Sequence, residues 1–486
     1  MGKSLVPTNQ NALAIAELYA RVRPLVGDAL ATRRVAVAGE AMAGALVEYL
    51  VACGVRRWVA LPGAEWMVSL IDHLRCRYGA LDITLEMTAC LSEREEVDVA
   101  LFVDDGSAFF ATESVTRLAI FTPKSGLPCH ALLALPGERL NGEHPTSLGG
   151  QSVPDWPHRW DWLTAAPLMV LWVRALLLQG TCFAMTKWEE AWQRGVRAYT
   201  VGETLDPTQA GWQLPPQAVG NSRAYRTPYR RQGTLLVVGL GSLGSVAAHQ
   251  LAPWVERMVL VDPDCVEVAN LVRQHYSSAD VGQPKAVALA HLLRAADSEL
   301  ACEWVVDSLS DEEEVSALVR RFGVTGALVT TGSNADFAVA RGLRAQGVPH
   351  VVGRCYARAR YWEGIVVDAP DQVGPSYEEM RRGVAAGPTP APTPEERAAY
   401  GVSGTLAGEP ATAMECGWAA MWLARLTSQM IMPAPLREGW LWARLAVGAN
   451  CFIGGVVAEP GSEGLGAAYG VAVPGQVHAW SVGEIH

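Results

Sequence analysis

Apolar residues along the chain alternate between short continuous runs and helical spacing. "RRVAVAG", residues 33–39, is a β-branched run closing on glycine and predicts a buried strand with a tight turn. "GALVEYLVAC" then carries apolar side chains at helical intervals, and "RRWVALPG" from Arg56 predicts a second strand. The same succession begins again at Gly233 in "GTLLVVGLGSLGSVAAHQLAPWVERMVLVDP". The two stretches match at a constant offset of 200 residues: Gly39 falls on Gly239, Gly44 on Gly244, Val55 on Val255, Arg57 on Arg257 and Val59 on Val259. Late in each half a Trp-bearing apolar helix is expected, "PLMVLWVRALLLQG" from Pro167 and "GWAAMWLARLTSQM" from Gly417, each followed by a polar, strand-like tail.

Any two strand–turn–helix units look alike over thirty residues. The late helices extend the likeness and predict two homologous α/β halves. The boundary is expected within residues 206–228, "DPTQAGWQLPPQAVGNSRAYRTP", whose Pro, Gly and polar content is that of a linker. The expected domains are therefore 1–215 and 216–486.

The differences between the copies matter chemically. In the second, Gly239, Gly241 and Gly244 form GxGxxG, which leaves room for a phosphate at a helix N-terminus. In the first, Ala41 replaces the middle glycine, and Pro62 stands opposite Asp262, the candidate ribose carboxylate. The first half is expected to keep the fold without the nucleotide.

Composition narrows the classes. A chain of 486 residues, half of them apolar and 18% charged, is long enough for two cores. A net charge of −11 argues against a nucleic-acid footprint and for no particular partner. Ten cysteines without a CxxC or regular spacing predict neither a disulfide framework nor a zinc ribbon. The chain does not open on a charged start and an apolar run, so no signal peptide is expected. "TAAPLMVLWVRALLLQG" is interrupted by Pro167 and Arg174 and falls short of the roughly twenty apolar residues of a span, so it predicts a buried helix. No membrane partner and a cytoplasmic location are expected.

A lone GxGxxG serves dehydrogenases, flavoproteins and methyltransferases alike. Here it is followed by Asp262, Asp264, Asn270, Arg273 and Gln274 in "DPDCVEVANLVRQ", then by Lys285 in "VGQPKAVALA". This order resembles the ThiF/MoeB family and the ubiquitin-activating enzymes, whose pattern reads GxGxxG, DxDxVExxNLxRQ, GxxKA. The resemblance implies two Rossmann-like ThiF-type domains in tandem, forming a pseudo-symmetric dimer within one chain. The first would be degenerate, and the second would bind ATP and carry a crossover loop near 368–410.

The implied reaction is attack of a carboxylate on the α-phosphate of ATP with loss of pyrophosphate. Charge grows on phosphoryl oxygens, where fixed cations act most strongly in the absence of water. Arg273 and Lys285 would clamp phosphate. Asn270 and Gln274 would orient phosphate or ribose oxygens, and Asp262, with Asp264 beside it, would take the ribose. Outside this pattern, Arg273 and Lys285 would read as solvated surface charges. The leader "LYARVRPLVGDALATRRVAVAG", residues 18–39, resembles the family's own leader, which places Arg21 as a finger reaching from the inactive half to the active site. Arg21 or Arg23 on a helix surface is the simpler alternative.

Three departures qualify the resemblance. In "VTTGSNADF" Ser333 stands where the family has a magnesium-binding Asp, although Asn334 matches. Asp336 is then the remaining carboxylate, able to reach a metal only indirectly, and Mg2+ would be held largely by ATP. In "GPSYEEM" Ser376 and Glu379 replace zinc-binding cysteines, so no zinc is expected. Residues 368–410 contain no thioester cysteine. Cys355 and Cys416 flank that segment; Cys355 is the candidate thiol, with a small buried hydrophobe as the alternative. The implied partner is a small ubiquitin-like or sulfur-carrier protein with a C-terminal Gly tail, with a conjugating enzyme as acceptor. Adenylation of a ribosomally made peptide and a nucleotide-binding scaffold are the rival readings.

Overall fold

The computed structural model describes residues 232–356, 361–367, 376–378, 412–431, 451–457 and 467–472, most of 15–121, and shorter pieces within 129–136, 170–178 and 199–201. Arg21, the 206–228 boundary and nearly all of 368–410 lie outside the described residues.

Two sheets, both dominated by parallel pairing in their central strands, carry the chain. The first contains β1 (Arg34–Gly39), β2 (Arg57–Ala60), β3 (Thr84–Met87), β4 (Val99–Val103), β5 (Arg117–Phe121), β6 (Cys129–Ala134) and β7 (Tyr199–Val201). Its order is β3-β2-β1-β4-β5-β6-β7. The second contains β8 (Thr234–Val238), β9 (Arg257–Val261), β10 (Ala301–Val305), β11 (Gly326–Val329), β12 (His350–Tyr356), β13 (Tyr361–Val367), β14 (Cys451–Val457) and β15 (Ala467–Ala472). Its order, β10-β9-β8-β11-β12-β13-β14-β15, is that of the first sheet with one strand added. In both, the fifth strand of the half is the last to pair in parallel, and the next turns back antiparallel.

The repeat extends to hydrogen-bond register. Val35 pairs with Trp58 and Val37 with Ala60; two hundred residues on, Leu235 pairs with Met258 and Val237 with Leu260. β8 is buried along its whole length and β1 at all but its first residue, which is why both strands read as continuous apolar runs.

Helices α1 (Gly44–Cys53) and α3 (Gly244–Leu251) follow the two glycine turns. Helix α2 (Met67–Tyr78) follows β2 in the first half. In the second, α4 (Lys285–Ala296), α5 (Glu312–Phe322), α6 (Ala335–Ala345) and α7 (Ala413–Ile431) complete the layers. Helix α7 is the Trp-bearing helix expected near Gly417. It packs on α3 and also on α1 of the first half. A Cβ at Gly417 would lie 2.4 Å from the Tyr49 hydroxyl, so only glycine admits this approach. One hydrophobic cluster runs from Val37 and Leu50 through Trp418 and Leu423 to Leu251 and Trp254. In the matching helix of the first half Val170, Val173 and Leu177 are buried, and Arg174 donates to Thr412 Oγ1 at 3.3 Å. No helix among the described residues is long and apolar enough to cross a membrane.

His350 opens β12 fully buried, its Nδ1 2.9 Å from the Val348 carbonyl, which places the proton of the neutral ring there. Burial lowers its pKa to about 4, against 6.5 for a free imidazole. The unfolded chain therefore takes up a proton that the fold refuses. Stability from this group is full above the free value and lost as pH falls toward the folded one. A decrease of about 2–3 kcal/mol is expected between pH 7 and pH 4.5. Urea midpoints measured across that range should show it, and His350→Asn should flatten the slope.

Candidate nucleotide site

The site lies at the carboxyl ends of the paired strands β8 and β11, where the connections leaving them run toward opposite edges of the sheet. Gly239 turns the chain at φ +87, and a Cβ there would lie 2.7 Å from the Thr330 carbonyl. Gly244 brings α3 so close that a Cβ would fall 1.8 Å from Gly239 O. Gly241 has nothing within 4 Å of the position its Cβ would take, so the approach to the α3 N-terminus is open among the described residues. The turn is braced by Thr330 Oγ1 donating to Gly239 O (2.8 Å) and Ser245 Oγ donating to Gly241 O (2.7 Å).

Asp262 follows β9 directly. Its Oδ2 accepts from the Leu240 amide at 2.6 Å and its Oδ1 from the Asp264 amide at 2.9 Å. Burial raises its pKa above the usual carboxylate value, opposed by Lys285 and by these two amides. Lys285 opens α4 and is only 6% exposed, its Nζ 2.8 Å from Asp264 Oδ2. Asn270 is buried and accepts from the Glu267 amide at 3.0 Å, which shapes the 3-10 turn Val268–Asn270. Arg273 and Gln274 are 5% and 4% exposed. Neither Arg273 nor Lys285 is the solvated surface charge of the simpler reading. Gln274 Oε1 is buried and, among the described residues, nothing donates to it, which leaves an acceptor for a hydroxyl such as that of a ribose. An open cradle, two buried cations and an orphaned acceptor fit ATP.

The far wall follows β11. Ser333 Oγ lies 2.8 Å from Thr331 Oγ1 and accepts from the Ala335 amide at 3.2 Å, just before α6. Asn334 is exposed and makes no side-chain cap on α6. Asp336, expected to reach a metal indirectly, is placed against partners of its own. It is fully buried: Oδ1 accepts from the Thr331 amide (3.2 Å) and hydroxyl (2.7 Å), and Oδ2 from Arg354 Nε (2.7 Å). Burial raises its pKa, while Arg354 and Thr331 oppose the rise. The second residue of α6 thus points under the loop, and its charge is spent on Arg354. Among the described residues no cluster of three or more His, Cys, Asp or Glu could hold a metal. Cys355 is half-buried on β12 and packs against Cys416 of α7.

Four residues near the site were not anticipated. Thr330 and Arg354 are described above. Tyr276 donates through its hydroxyl to Leu240 O at 2.9 Å. Arg77, from the first half, reaches the Gln274 carbonyl at 3.0 Å. None belongs to a local spacing pattern that would have flagged it. In the first half's own turn, Gly39 has φ +105, and the Trp66 indole donates to Gly39 O at 2.8 Å.

The ThiF family matches residues 229–407, a stretch that contains the glycine turn, Asp262–Gln274, Lys285 and Asp336. Over 93 residues the chain is 40% identical to the adenylyltransferase and sulfurtransferase MOCS3 of Sus scrofa, a match of 19% of this chain and 20% of that protein. The match therefore spans about a fifth of that relative's length. E. coli MccB is similar over 52% of this chain and 67% of its own, at 15% identity and a TM-score of 0.34. E. coli tRNA N6-threonylcarbamoyladenosine dehydratase, TcdA, solved with AMP, is similar over 41% and 86%, at 20% identity and a TM-score of 0.30.

Proposed function

We propose, on the premise that residues 229–407 are a ThiF family domain, that the chain adenylates the C-terminal carboxylate of a small ubiquitin-like or sulfur-carrier protein with a glycine tail. The observation that carries this reading is an open glycine turn with Lys285 buried near Asp262 and Arg273 buried on the loop whose Tyr276 and His275 tie back to that turn. Hydride transfer requires no such pair of cations. A substrate carboxylate oxygen attacks the α-phosphorus, the bond to the β-phosphate's bridging oxygen breaks, and pyrophosphate leaves with the electron pair. Arg273 and Lys285 stabilise the charge that develops, Lys285 releasing Asp264 to do so. Asp262 and Gln274 take ribose hydroxyls, since each carboxylate oxygen retains acceptor capacity beyond one amide.

Among the described residues, none is placed to hold a metal for the protein. Asp336 is committed to Arg354 and Ser333 is neutral, so magnesium enters only as the counter-ion of ATP. Ser333→Asp should lower the magnesium concentration at half-saturation severalfold in pyrophosphate exchange. An unchanged magnesium curve would mean that the new carboxylate is taken by Arg354, whose Nη2 already reaches Ser333 O at 2.5 Å.

In this reading residues 1–215 and 216–486 pack as a pseudo-symmetric pair in the cytoplasm, and Arg21 enters the active half as a finger. Shared strand order, shared register and Trp66 seated on Gly39 support a first half that kept the fold and lost the nucleotide. The activated carboxylate passes to a cysteine, either Cys355 or that of a conjugating enzyme. The deciding assay is ATP–pyrophosphate exchange with small glycine-tailed proteins encoded beside this one. Exchange only with a short peptide would move the substrate class. ATP binding without exchange for any of them would leave a scaffold.

A further inference from the structure

The first half touches the loop that carries Arg273, and it does so through α2. Arg77, in the last turn of α2, donates from Nη2 to the Gln274 carbonyl (3.0 Å) and from Nε to the Tyr276 carbonyl (3.2 Å). Its third edge lies 3.7 Å from Glu48 Oε2 on α1, and the side chain is 13% exposed. A largely buried guanidinium is costly unless its donors are used, and here two carbonyls accept from it while the carboxylate lies at ion-pair distance. One residue earlier, the Cys76 carbonyl accepts from Ser278 Oγ at 2.9 Å. The seam is tight, since a Cβ on Gly79 would lie 2.8 Å from Ser278 Cβ.

From the other side the same loop is tied to the glycine turn. Tyr276 donates to Leu240 O, and the His275 amide donates to Ser245 Oγ (3.1 Å), which itself donates to Gly241 O. A continuous path of hydrogen bonds thus runs from α2 of the first half, through residues 274–276, to the open glycine of the second. Burial, with His249, Arg77 and His73, holds the His275 ring well below the usual histidine value. The ring is therefore neutral at this seam at neutral pH.

We propose that Arg77 is a positioning residue for the second half's nucleotide site, fixing the backbone of residues 274–276 and through it the side chains of Arg273 and Gln274. The inference rests on the reading of this loop as the nucleotide loop. It gives the first half a task in the second half's chemistry that is separate from any finger in its leader. Two carbonyls at this spacing call for a forked donor, which lysine cannot reproduce.

The test is a double-substitution cycle on ATP affinity in the full chain, read by calorimetry. Arg77→Met keeps the apolar stem and removes every donor. It should weaken ATP binding about tenfold, the size expected for lost hydrogen bonds to a charged group. Arg77→Lys should weaken it less. Both changes should weaken binding distinctly less when Arg273 is already alanine, because part of the effect of Arg77 passes through Arg273 and only the part through Gln274 remains. Unaltered affinity in folded Arg77→Met, or equal losses with and without Arg273, would overturn the proposal. If Arg77→Met does not fold, the cycle is run with Arg77→Lys and the same two outcomes decide. The cycle needs only ATP, so a failure to find pyrophosphate exchange would sink the proposed reaction and leave this result standing.

Discussion

Arg273→Ala should reduce ATP–pyrophosphate exchange by at least about 10²–10³-fold, the loss typical of removing one preorganised donor to developing charge. The side chain is buried, so no water replaces its charge as it would at a surface. Asp262→Ala should abolish activity by a different route. It removes the acceptor of the Leu240 and Asp264 amides, so the glycine turn loosens and nucleotide affinity falls with turnover. Because burial raises the Asp262 pKa, the acid limb of nucleotide binding should lie above the ordinary carboxylate range and vanish in Asp262→Asn. Changing Glu40, which lies in the first half's corresponding turn and outside the described residues, should do little. Equal losses at Glu40 and Arg273 would show that the first half has kept a working site.

The second large effect is on stability. Arg354→Met leaves the fully buried Asp336 carboxylate without its cation. Removing one partner of such a pair costs about 3–5 kcal/mol. The urea midpoint should fall accordingly, and Asp336→Asn in the same chain should restore most of it, since an amide needs no counter-charge. The pH dependence has a definite sign. Burial already raises the Asp336 pKa, and loss of Arg354 raises it further. Stability is then retained where the group is protonated and lost as pH rises through the folded-state value. Arg354→Met should therefore be closest to wild type in acid and furthest from it at neutral pH. A uniform deficit across pH would mean that lost packing on Phe337, over whose ring Arg354 lies, is the main term.

Much of the fold was legible along the chain because its causes are local. Apolar runs separated by glycine turns give strand, turn and helix whatever lies beyond them, and the offset of 200 residues survives into strand register. The three glycines of the second turn could be assigned because the demands on them are steric and short-range: one positive φ, one open approach, one close helix contact. The place of Asp262 at the end of β9 follows from the same local logic.

What each polar side chain meets was not legible, because its partner is chosen by packing between elements far apart in sequence. The sequence offers Asp336 as a carboxylate reaching a metal indirectly, and packing sets it against Arg354, 18 residues on and across on β12. Lys285 looked like a free phosphate clamp, yet the tertiary structure pairs it with Asp264. The repeat itself hides the largest difference. At the offset of 200 residues α2 falls on 267–278, where the second half forms not a helix but the loop of two 3-10 turns that carries Arg273. The first half's helix is then free to dock on that loop, with Arg77 reaching a carbonyl 197 residues away. The chain's own pattern determined two like halves and one open glycine turn. Only packing decided that the first half braces the loop of the second, because a backbone carbonyl leaves no trace in the residue types that accept its bond.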